Sequence, residues 1–242
     1  MSTLLKKLRM YDSRTIVSYA FLELKSRLIT MPLRHSYSQC GEDAEIDRIL
    51  GHKDQGFYVD IGASDPRRFN NTNRFYRRGW SGLNIEPNPE LFSRLKKARR
   101  RDVNLNIGIG EKRSRMVFQE FVPYTLSTFS EAEAARYQKQ GYKLVESYPV
   151  DLKRLDEVLR EHCDDRDIDF MSIDTEGLDL EVLHSNDWET FRPRVICIES
   201  VRHGSERASD EQDLECARFL REVGYRKTCD NGLNSIYIEC AT

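Results

Sequence analysis

The sequence lacks long apolar runs and any large excess of charge of one sign. No stretch of about 18 apolar residues occurs, so no membrane-spanning helix is expected. The 38 lysines and arginines are balanced by 40 aspartates and glutamates, which argues against a global positive field that would attract nucleic acid. Internal repeats are also absent. A chain of 242 residues with this composition predicts one soluble domain, with or without an arm.

Motifs for metals and phosphates are also missing. The 6 cysteines form no C-x-x-C pair or similar metal-type spacing, which favours reduced thiols and a cytoplasmic location. No G-x-G-x-x-G follows a predicted strand, and no P-loop is present. A nicotinamide-dependent oxidoreductase is therefore the weaker alternative, and a loop that cradles phosphates is not supported.

The first 34 residues are more basic than the rest of the chain. Lysines and arginines outnumber the acids Asp12 and Glu23, and apolar residues recur at helical spacing. Charges interrupt each candidate apolar core, which argues against a secretory signal peptide. Two interpretations stay open: a helical arm packed on its own domain or on a partner chain, as in a homo-oligomer, or peripheral contact of residues 1–34 with the inner membrane surface. We assign residues 1–36 to this arm.

Residues 37–242 alternate between short apolar runs and helical patterns. Strands are predicted at about 56–62, 82–86, 103–107, 115–121, 144–150, 168–173, 194–199, 225–229 and 234–240. Alternation predicts an α/β fold with a Rossmann-like, doubly wound, mostly parallel sheet. Asp230-Asn231-Gly232 predicts a C-terminal antiparallel hairpin. Residues 122–143 form an insert with a helical piece near 131–139, and loops of this length are usually functional.

For two of the predicted helices, the sequence also predicts which residues are exposed and which are buried. The run Lys96 to Arg101 at the end of one helix is interpreted as a solvated face that complements the helix dipole. Leu152 is placed on the apolar stripe of a later helix, together with Leu155, Val158 and Leu159.

Acidic residues end four of the predicted strands: Asp60, Glu86, Asp174 and Glu199. Ligands of doubly wound sheets bind beyond the carboxyl ends of the strands, so these acids are expected to lie near a ligand. An acid such as Glu86, at the end of the second strand, can accept hydrogen bonds from a ribose diol. Capping of the following helices remains an alternative for Asp174 and Glu199.

Small residues, Gly62, Ala63 and Ser64, follow the first strand and let a ligand approach the backbone. Because the phosphate-binding glycines are missing, a nucleoside without phosphates fits better than a dinucleotide. S-adenosylmethionine is such a ligand, and its ammonium and sulfonium groups suit carboxylates.

The order and content of five segments resemble those of FkbM-type methyltransferases. The segments are Tyr37-Ser38-Gln39-Cys40-Gly41-Glu42-Asp43, Gly56-Phe57-Tyr58-Val59-Asp60-Ile61-Gly62-Ala63, Asn71-Thr72, Arg78-Gly79-Trp80-Ser81-Gly82-Leu83-Asn84-Ile85-Glu86-Pro87 and Ile168-Asp169-Phe170-Met171-Ser172-Ile173-Asp174-Thr175-Glu176-Gly177. The resemblance covers about residues 37–200 and implies a class I methyltransferase fold. It also implies O-methylation of a small molecule or glycan by S-adenosylmethionine.

The resemblance further implies which residues bind the cofactor. Asp60, Gly62 and Ala63, followed by Ser64, would line its methionine end, Glu86 would hold the ribose, and Asn106-Ile107 would meet the adenine. Gln39 would fold over the cofactor with Ser38, Glu42 and Asp43, and Asp174 would lie close to the transferable methyl group.

A hydroxyl acceptor must lose its proton, normally to a positioned base. The candidates are Asp174, Glu176, Glu199 and His203. Asp174 and Glu199 could instead hold a divalent metal that acidifies the hydroxyl, although a metal is not expected. Tyrosines 124, 137, 142 and 148 lie in or beside the insert, where they either stack on sugars or pin the insert to the core.

The preferred acceptor is a sugar hydroxyl of a bacterial surface polysaccharide or glycolipid, because the basic arm could hold the enzyme near membrane-anchored intermediates. Natural-product O-methylation and a catalytically inactive binding protein of the same fold are the alternatives. A nucleic-acid acceptor is disfavoured by the balanced charge.

Overall fold

The computed structural model describes residues 36–163, 166–200 and 208–240. Residues 1–35 of the predicted arm and the candidate base His203 lie outside these residues. Within them, none of the helices is both long enough and apolar enough to cross a bilayer.

Helices and strands alternate along most of the chain. The helices are α1 (Glu42–Ile49), α2 (Asn73–Arg78), α3 (Pro89–Ala98), α4 (Glu131–Lys139), α5 (Leu155–His162), α6 (Asp179–His184) and α7 (Ala208–Glu222), with a 3-10 helix at Tyr124–Leu126. The strands are β1 (Phe57–Ile61), β2 (Ser81–Ile85), β3 (Val103–Leu105), β4 (Gly108–Ile109), β5 (Ser114–Val122), β6 (Lys143–Lys153), β7 (Phe170–Ile173), β8 (Val195–Glu199), β9 (Tyr225–Asp230) and β10 (Asn234–Glu239).

The main sheet has seven strands in the order β3-β2-β1-β7-β8-β10-β9. Strands β3, β2, β1, β7 and β8 are parallel, whereas β10 is antiparallel to β8 and β9 is antiparallel to β10. The predicted doubly wound sheet with a C-terminal hairpin is confirmed. Strand order reverses between β1 and β7, and this switch point opens a crevice at their carboxyl ends.

Alternation along β1 explains how the sheet is covered on both faces. All five residues of β1 are buried, as expected for a central parallel strand. Phe57, Val59 and Ile61 belong to a core that also contains the apolar stripe of α5. Tyr58 belongs to the core on the opposite face, with Phe75 of α2. Asp60 shares the Tyr58 face because successive strand residues point to opposite sides.

Residues 108–153, called the insert from here on because they extend the predicted insert 122–143 at both ends, form a second sheet in the order β4-β6-β5. Long antiparallel strands β5 and β6 flank the 3-10 helix and α4, so the predicted insert is an ordered arm rather than an irregular loop. The expected helical piece at 131–139 is confirmed. The insert has a small core of its own, made by Phe121, Leu126, Ala134 and Tyr137.

Two sequence predictions about individual side chains are wrong. Leu152 lies in β6 rather than on α5, which begins at Leu155; it packs with Phe118 and Phe129 of the second sheet. Arg99, predicted to lie on a solvated face, is 1% exposed. Its guanidinium turns inward because backbone and side-chain oxygens there accept its hydrogen bonds.

Candidate active site

A cleft opens at the carboxyl edge of the parallel strands. The sheet side of its lining includes Ile61, Gly62, Glu86, Asp174 and Glu199, and the insert side includes Phe118, Tyr124, Thr125, Ser127 and Phe129. Among the residues predicted to form a site, those that line the cleft are Gln39, Gly62, Ser64, Glu86, Ile107, Asp174, Glu176 and Glu199. Asp60, Ala63 and Asn106 are not part of the lining.

Gly62 brings the ends of β1 and β7 into direct contact. Its φ of +81° is in the left-handed region, and a Cβ atom there would overlap the carbonyl oxygen of Asp174. Only glycine therefore allows this approach without a shift of the backbone. The close approach fixes the candidate acid Asp174 beside the loop that follows β1.

Glu86 is oriented by two backbone amides. Its Oε2 accepts a hydrogen bond from Ser64 N at 2.7 Å, and its Oε1 accepts one from Asn88 N at 2.8 Å. Burial raises the pKa of Glu86 to about 7, against the effect of these two hydrogen bonds. Each carboxylate oxygen has a further lone pair. The carboxylate is thus held in place with acceptor capacity left for a ligand hydroxyl.

Asp174 carries a buried oxygen, Oδ1, that has no hydrogen-bond partner among the residues described. Burial raises the pKa of Asp174, and the charges of Asp179, Asp60 and Glu42 raise it further. A buried polar atom without a partner is uncommon in native proteins and is a frequent property of functional sites. Asp174 is therefore suited to receive a proton or to face a positive charge.

Carboxylate oxygens of Asp174, Glu176 and Glu199 lie within 4.8 Å of one another. All three side chains are partly exposed. Hard oxygen donors of this kind suit Mg²⁺ or Ca²⁺, so the cluster extends the predicted pair Asp174 and Glu199 by one acid.

The turn after β7 is held by its own side chains and by the insert. Asp179 Oδ1 accepts hydrogen bonds from Thr175 N at 3.0 Å and from Thr175 Oγ1 at 2.9 Å. Thr128 of the insert donates through Oγ1 to Glu176 O at 2.6 Å. The insert is therefore docked on the segment that carries two of the clustered acids.

Asp60 lies behind the cleft rather than in its wall. It is 5% exposed, and its Oδ2 accepts hydrogen bonds from Thr72 Oγ1 at 2.7 Å and Asn70 Nδ2 at 3.4 Å. Burial raises its pKa to about 6, while the hydrogen bond from Thr72 and the charge of Arg99 act in the opposite direction. Because Asp60 faces α2, it can affect a ligand only indirectly, through the loop between β1 and α2.

Two other residues that were predicted to bind the cofactor make hydrogen bonds near the cleft. Asn106 donates through Nδ2 to Glu86 O at 2.8 Å and to Pro87 O at 2.9 Å. Ala63 O accepts a hydrogen bond from Asn70 Nδ2 at 3.0 Å. These three hydrogen bonds stabilise turns whose neighbouring residues line the cleft.

Gln39 reaches the cleft from a tightly bonded segment before α1. Asp43 accepts hydrogen bonds from Tyr37 N at 2.8 Å and Ser38 Oγ at 3.0 Å. Glu42 accepts hydrogen bonds from Asn231 Nδ2 and Asn234 Nδ2, each at 2.8 Å. The acids of this motif thus fix the segment that presents Gln39.

The tyrosines singled out in the sequence have different positions. Tyr124 lines the cleft, whereas Tyr137 is 1% exposed and packs against Phe121 in the core of the insert. Tyr142 is 43% exposed. Tyr148 packs on Phe118, with ring centroids 5.7 Å apart. Phe69, Phe118 and Phe129 also line the cleft and were missed, since no local pattern distinguishes them from core aromatics.

A family model described as "Methyltransferase FkbM domain" matches residues 60–227. The chain belongs to the FkbM methyltransferase family. The cofactor of this FkbM methyltransferase is S-adenosylmethionine, and its reaction is transfer of a methyl group to an acceptor. The family resemblance found in the sequence is thus confirmed.

Solved structures with a related fold include precorrin-6y C5,15-methyltransferase from Geobacter metallireducens GS-15, which is 16% identical with a TM-score of 0.44 over 82% of this chain and 87% of that chain. A TehB-like SAM-dependent methyltransferase from Corynebacterium glutamicum ATCC 13032 Kitasato is 10% identical, with a TM-score of 0.42 over 93% and 96% of the two chains. The N-terminal domain of human METTL16 is 16% identical, with a TM-score of 0.41 over 82% and 68%. No curated protein matches the sequence.

Proposed function

We propose that this FkbM methyltransferase is an O-methyltransferase that methylates a sugar hydroxyl of a glycan or glycolipid. The observation that carries the proposal is the buried, unpartnered Oδ1 of Asp174 at the edge of the sheet, in the same cleft as the oriented carboxylate of Glu86. One acid is suited to a ribose, and the other to an acceptor proton.

The cleft divides into parts that match the parts of the cofactor. The Glu86 carboxylate accepts the ribose hydroxyls, and Leu91, Ile107 and Ile109 give an apolar surface for the adenine. The backbone at Gly62 and Ser64, which lines the cleft, meets the methionine end. This arrangement directs the transferable methyl group towards Asp174.

Methyl transfer is an in-line displacement at carbon. The acceptor oxygen forms the new bond to the methyl carbon while the carbon–sulfur bond breaks, and the electron pair stays on sulfur. The acceptor proton passes to Asp174, whose raised pKa suits it to receive a proton near neutral pH. We propose the cluster with Glu176 and Glu199 as the site of proton transfer rather than as a metal site. Alignment of sulfur, methyl and oxygen supplies the rest of the rate enhancement.

The polar part of the cleft supports a neutral acceptor. Of the described residues that line it, none is lysine, arginine or histidine, so a phosphate or carboxylate at the reacting end would lack a cationic partner there. Tyr124 offers a ring for stacking, and Gln39, Thr125 and Ser127 offer hydrogen bonds to hydroxyls. A glycolipid acceptor further rests on the basic segment 1–34, and a small natural product with free hydroxyls is the alternative.

The cofactor site is tested by calorimetry with S-adenosylmethionine. Glu86→Ala should weaken binding on the order of 100-fold, because two hydrogen bonds to a charged group are lost. Glu146→Ala, at an exposed residue of β6, is the matched control and should bind like the wild type. Equal binding by wild type and Glu86→Ala would show that the cofactor does not lie here.

The reaction is tested with radiolabelled S-adenosylmethionine and a panel of glycans. Transfer to a sugar oxygen, located by mass spectrometry and alkaline stability of the product, supports the proposal. Transfer to nitrogen or carbon would overturn the O-methylation. Cofactor binding without transfer to any member of glycan, natural-product and nucleic-acid panels would favour the inactive binding protein.

A further inference from the structure

The loop between β1 and α2, residues 62–70, presents Gly62, Ser64 and Phe69 to the cleft. All three have positive φ angles, of +81°, +52° and +50°. This conformation is unfavourable for Ser64 and Phe69, which have side chains, and persists only where surrounding contacts enforce it. The contacts that enforce it are therefore part of what shapes the cleft.

Arg99 supplies such contacts from the core side of the loop. Its Nε and Nη2 donate to Pro66 O at 3.2 and 2.9 Å, and Nη2 also donates to Asn70 Oδ1 at 2.8 Å. Its Nη1 donates to Tyr58 Oη at 3.0 Å. The planar guanidinium thus connects the loop to the central strand β1 and is itself 1% exposed.

Asn70 extends this bracing to both ends of the loop. Its Nδ2 donates to Ala63 O at 3.0 Å, and its Oδ1 accepts a hydrogen bond from Thr72 N at 3.1 Å. Its backbone N donates to Tyr37 O at 3.1 Å, in the segment that carries Gln39. One guanidinium therefore acts, through Asn70, on two walls of the cleft.

The positive charge of Arg99 is balanced within the same network. Tyr58 Oη donates to Asp102 Oδ2 at 2.6 Å, and the charge of Arg99 lowers the proton affinity of both Asp60 and Asp102. A buried arginine needs such partners because its desolvation is costly. The guanidinium has its acceptors and its counter-charges in place before any ligand binds.

We propose that Arg99 is a positioning residue for S-adenosylmethionine: it holds loop 62–70 in the conformation that binds the cofactor, without touching the cofactor itself. The inference rests on the proposed placement of the cofactor at this edge of the sheet. An arginine is required because its planar fork spans Pro66 O, Asn70 and Tyr58 at once, whereas an ammonium group is a single point charge.

The test compares Arg99→Lys with Arg101→Lys. Arg101 lies 4.0 Å from the same Tyr76 ring that Arg99 approaches at 4.7 Å, measured from guanidinium carbon to ring centroid. It is exposed, however, and its hydrogen bond goes to Tyr76 O rather than to the loop. The control is thus the same arginine-to-lysine replacement at a residue whose hydrogen bond does not go to residues 62–70.

We expect Arg99→Lys to weaken S-adenosylmethionine binding at least tenfold in calorimetry and to speed amide hydrogen exchange in residues 62–70, with exchange in β8 unchanged. Arg101→Lys should match the wild type in both. Neither measurement needs the acceptor. A lower melting temperature with unchanged affinity, or faster exchange throughout the sheet, would mean that Arg99 is merely structural and would overturn the proposal.

Two further variants keep the outcome decisive. If Arg99→Lys does not fold, Asn70→Ala removes the hydrogen bonds that connect Arg99 to Ala63 O and leaves no misplaced buried charge. The same two effects are expected, smaller in size because the hydrogen bonds from Arg99 to Pro66 O remain; their absence overturns the inference. If Glu86→Ala weakens binding and the loop variants do not, only this inference fails. If Glu86→Ala has no effect either, the proposed cofactor site itself fails.

Discussion

The two sheets of the FkbM methyltransferase differ in how deeply their strands are buried. In the main sheet, β1 and β7 are buried at every residue. In the insert, β5 and β6 are each buried at only two residues, and Val117 is 50% exposed. The carboxylates of the cleft come from the doubly covered sheet, whereas several aromatic and hydroxyl side chains come from the insert. The candidate catalytic groups thus lie on the deeply buried sheet. The opposite wall of the cleft lies on the more exposed insert, which tolerates sequence change better.

Replacing the acid at the sheet edge should have the largest effect. Asp174→Asn removes the proposed proton acceptor, so kcat should fall by about 10²- to 10⁴-fold, with a much smaller change in cofactor affinity. Methyl transfer to the acceptor measures the first and calorimetry the second. Asp151→Asn, on the insert strand β6 with a side chain that is 74% exposed, is the control. A comparable fall in kcat in the two variants would contradict the proposal that the proton acceptor lies on the main sheet.

Glycines with positive φ in the two regions should respond differently to alanine. At Gly62 a Cβ atom would meet the backbone of Asp174, whereas at Gly141 in the insert nothing lies within 4 Å. Gly62→Ala should lower the free energy of unfolding by about 2–4 kcal/mol. Gly141→Ala should lower it by only about 1 kcal/mol, the cost of the left-handed conformation. Urea unfolding of both variants measures the difference, and equal costs would refute the tight contact at Gly62.

The acids of the main sheet should also make the protein pH-dependent. Burial raises the pKa of Glu86 to about 7 and that of Asp60 to about 6, so the folded state binds more protons than the unfolded state at intermediate pH. Stability should therefore fall as pH rises from about 4.5 to 7, and the shift of Glu86 alone corresponds to a fall on the order of 3 kcal/mol. Urea unfolding across this range measures the effect. Rising stability would contradict it.

Cofactor binding should follow the opposite trend. Ribose hydroxyls donate to the ionised form of Glu86, so affinity should increase about tenfold between pH 6 and 8, with release of protons on binding near pH 6.5. Calorimetry in two buffers of different ionisation enthalpy counts these protons. Glu86→Gln should abolish that part of the release, and proton uptake by the wild type would contradict the assignment.

A substitution in the insert should change acceptor recognition and little else. Tyr124→Ala removes a ring from the cleft wall and should raise KM for the acceptor by about 5- to 10-fold, in line with the loss of one stacking contact. Cofactor affinity should stay within about twofold. Tyr142→Ala, which removes an exposed ring of the same insert, should leave both unchanged. A larger effect on cofactor than on acceptor would contradict the proposed roles of the two sheets.

Strand-end acids were predictable because their positions depend only on local patterns. Apolar runs that end in Glu86, Asp174 and Glu199 identify parallel strands, and parallel strands end at a common edge. Asp60 shows the limit of that rule. It precedes the end of β1 by one residue, and the two-residue alternation turns it towards α2, away from the cleft.

The contacts that shape the loop could not be predicted in the same way. Arg99 stands in a run of basic residues, and nothing in that run distinguishes the one guanidinium that turns inward. Its acceptors, Pro66 O and Asn70, are 33 and 29 residues away in the sequence. Likewise, the pairing of β5 with β6 across 20 intervening residues depends on tertiary contacts that local propensity does not contain.

The hydrogen bonds from Asn231 and Asn234 to Glu42 have a consequence for the order of events during translation. They join the segment that carries Gln39 to a turn made 189 and 192 residues later. On the ribosome, the parallel strands can pair long before that turn has emerged from the exit tunnel. Capture of the cofactor by a fully closed cleft therefore awaits synthesis of the turn at 231–234, long after the carboxylates of Glu86 and Asp174 have been made.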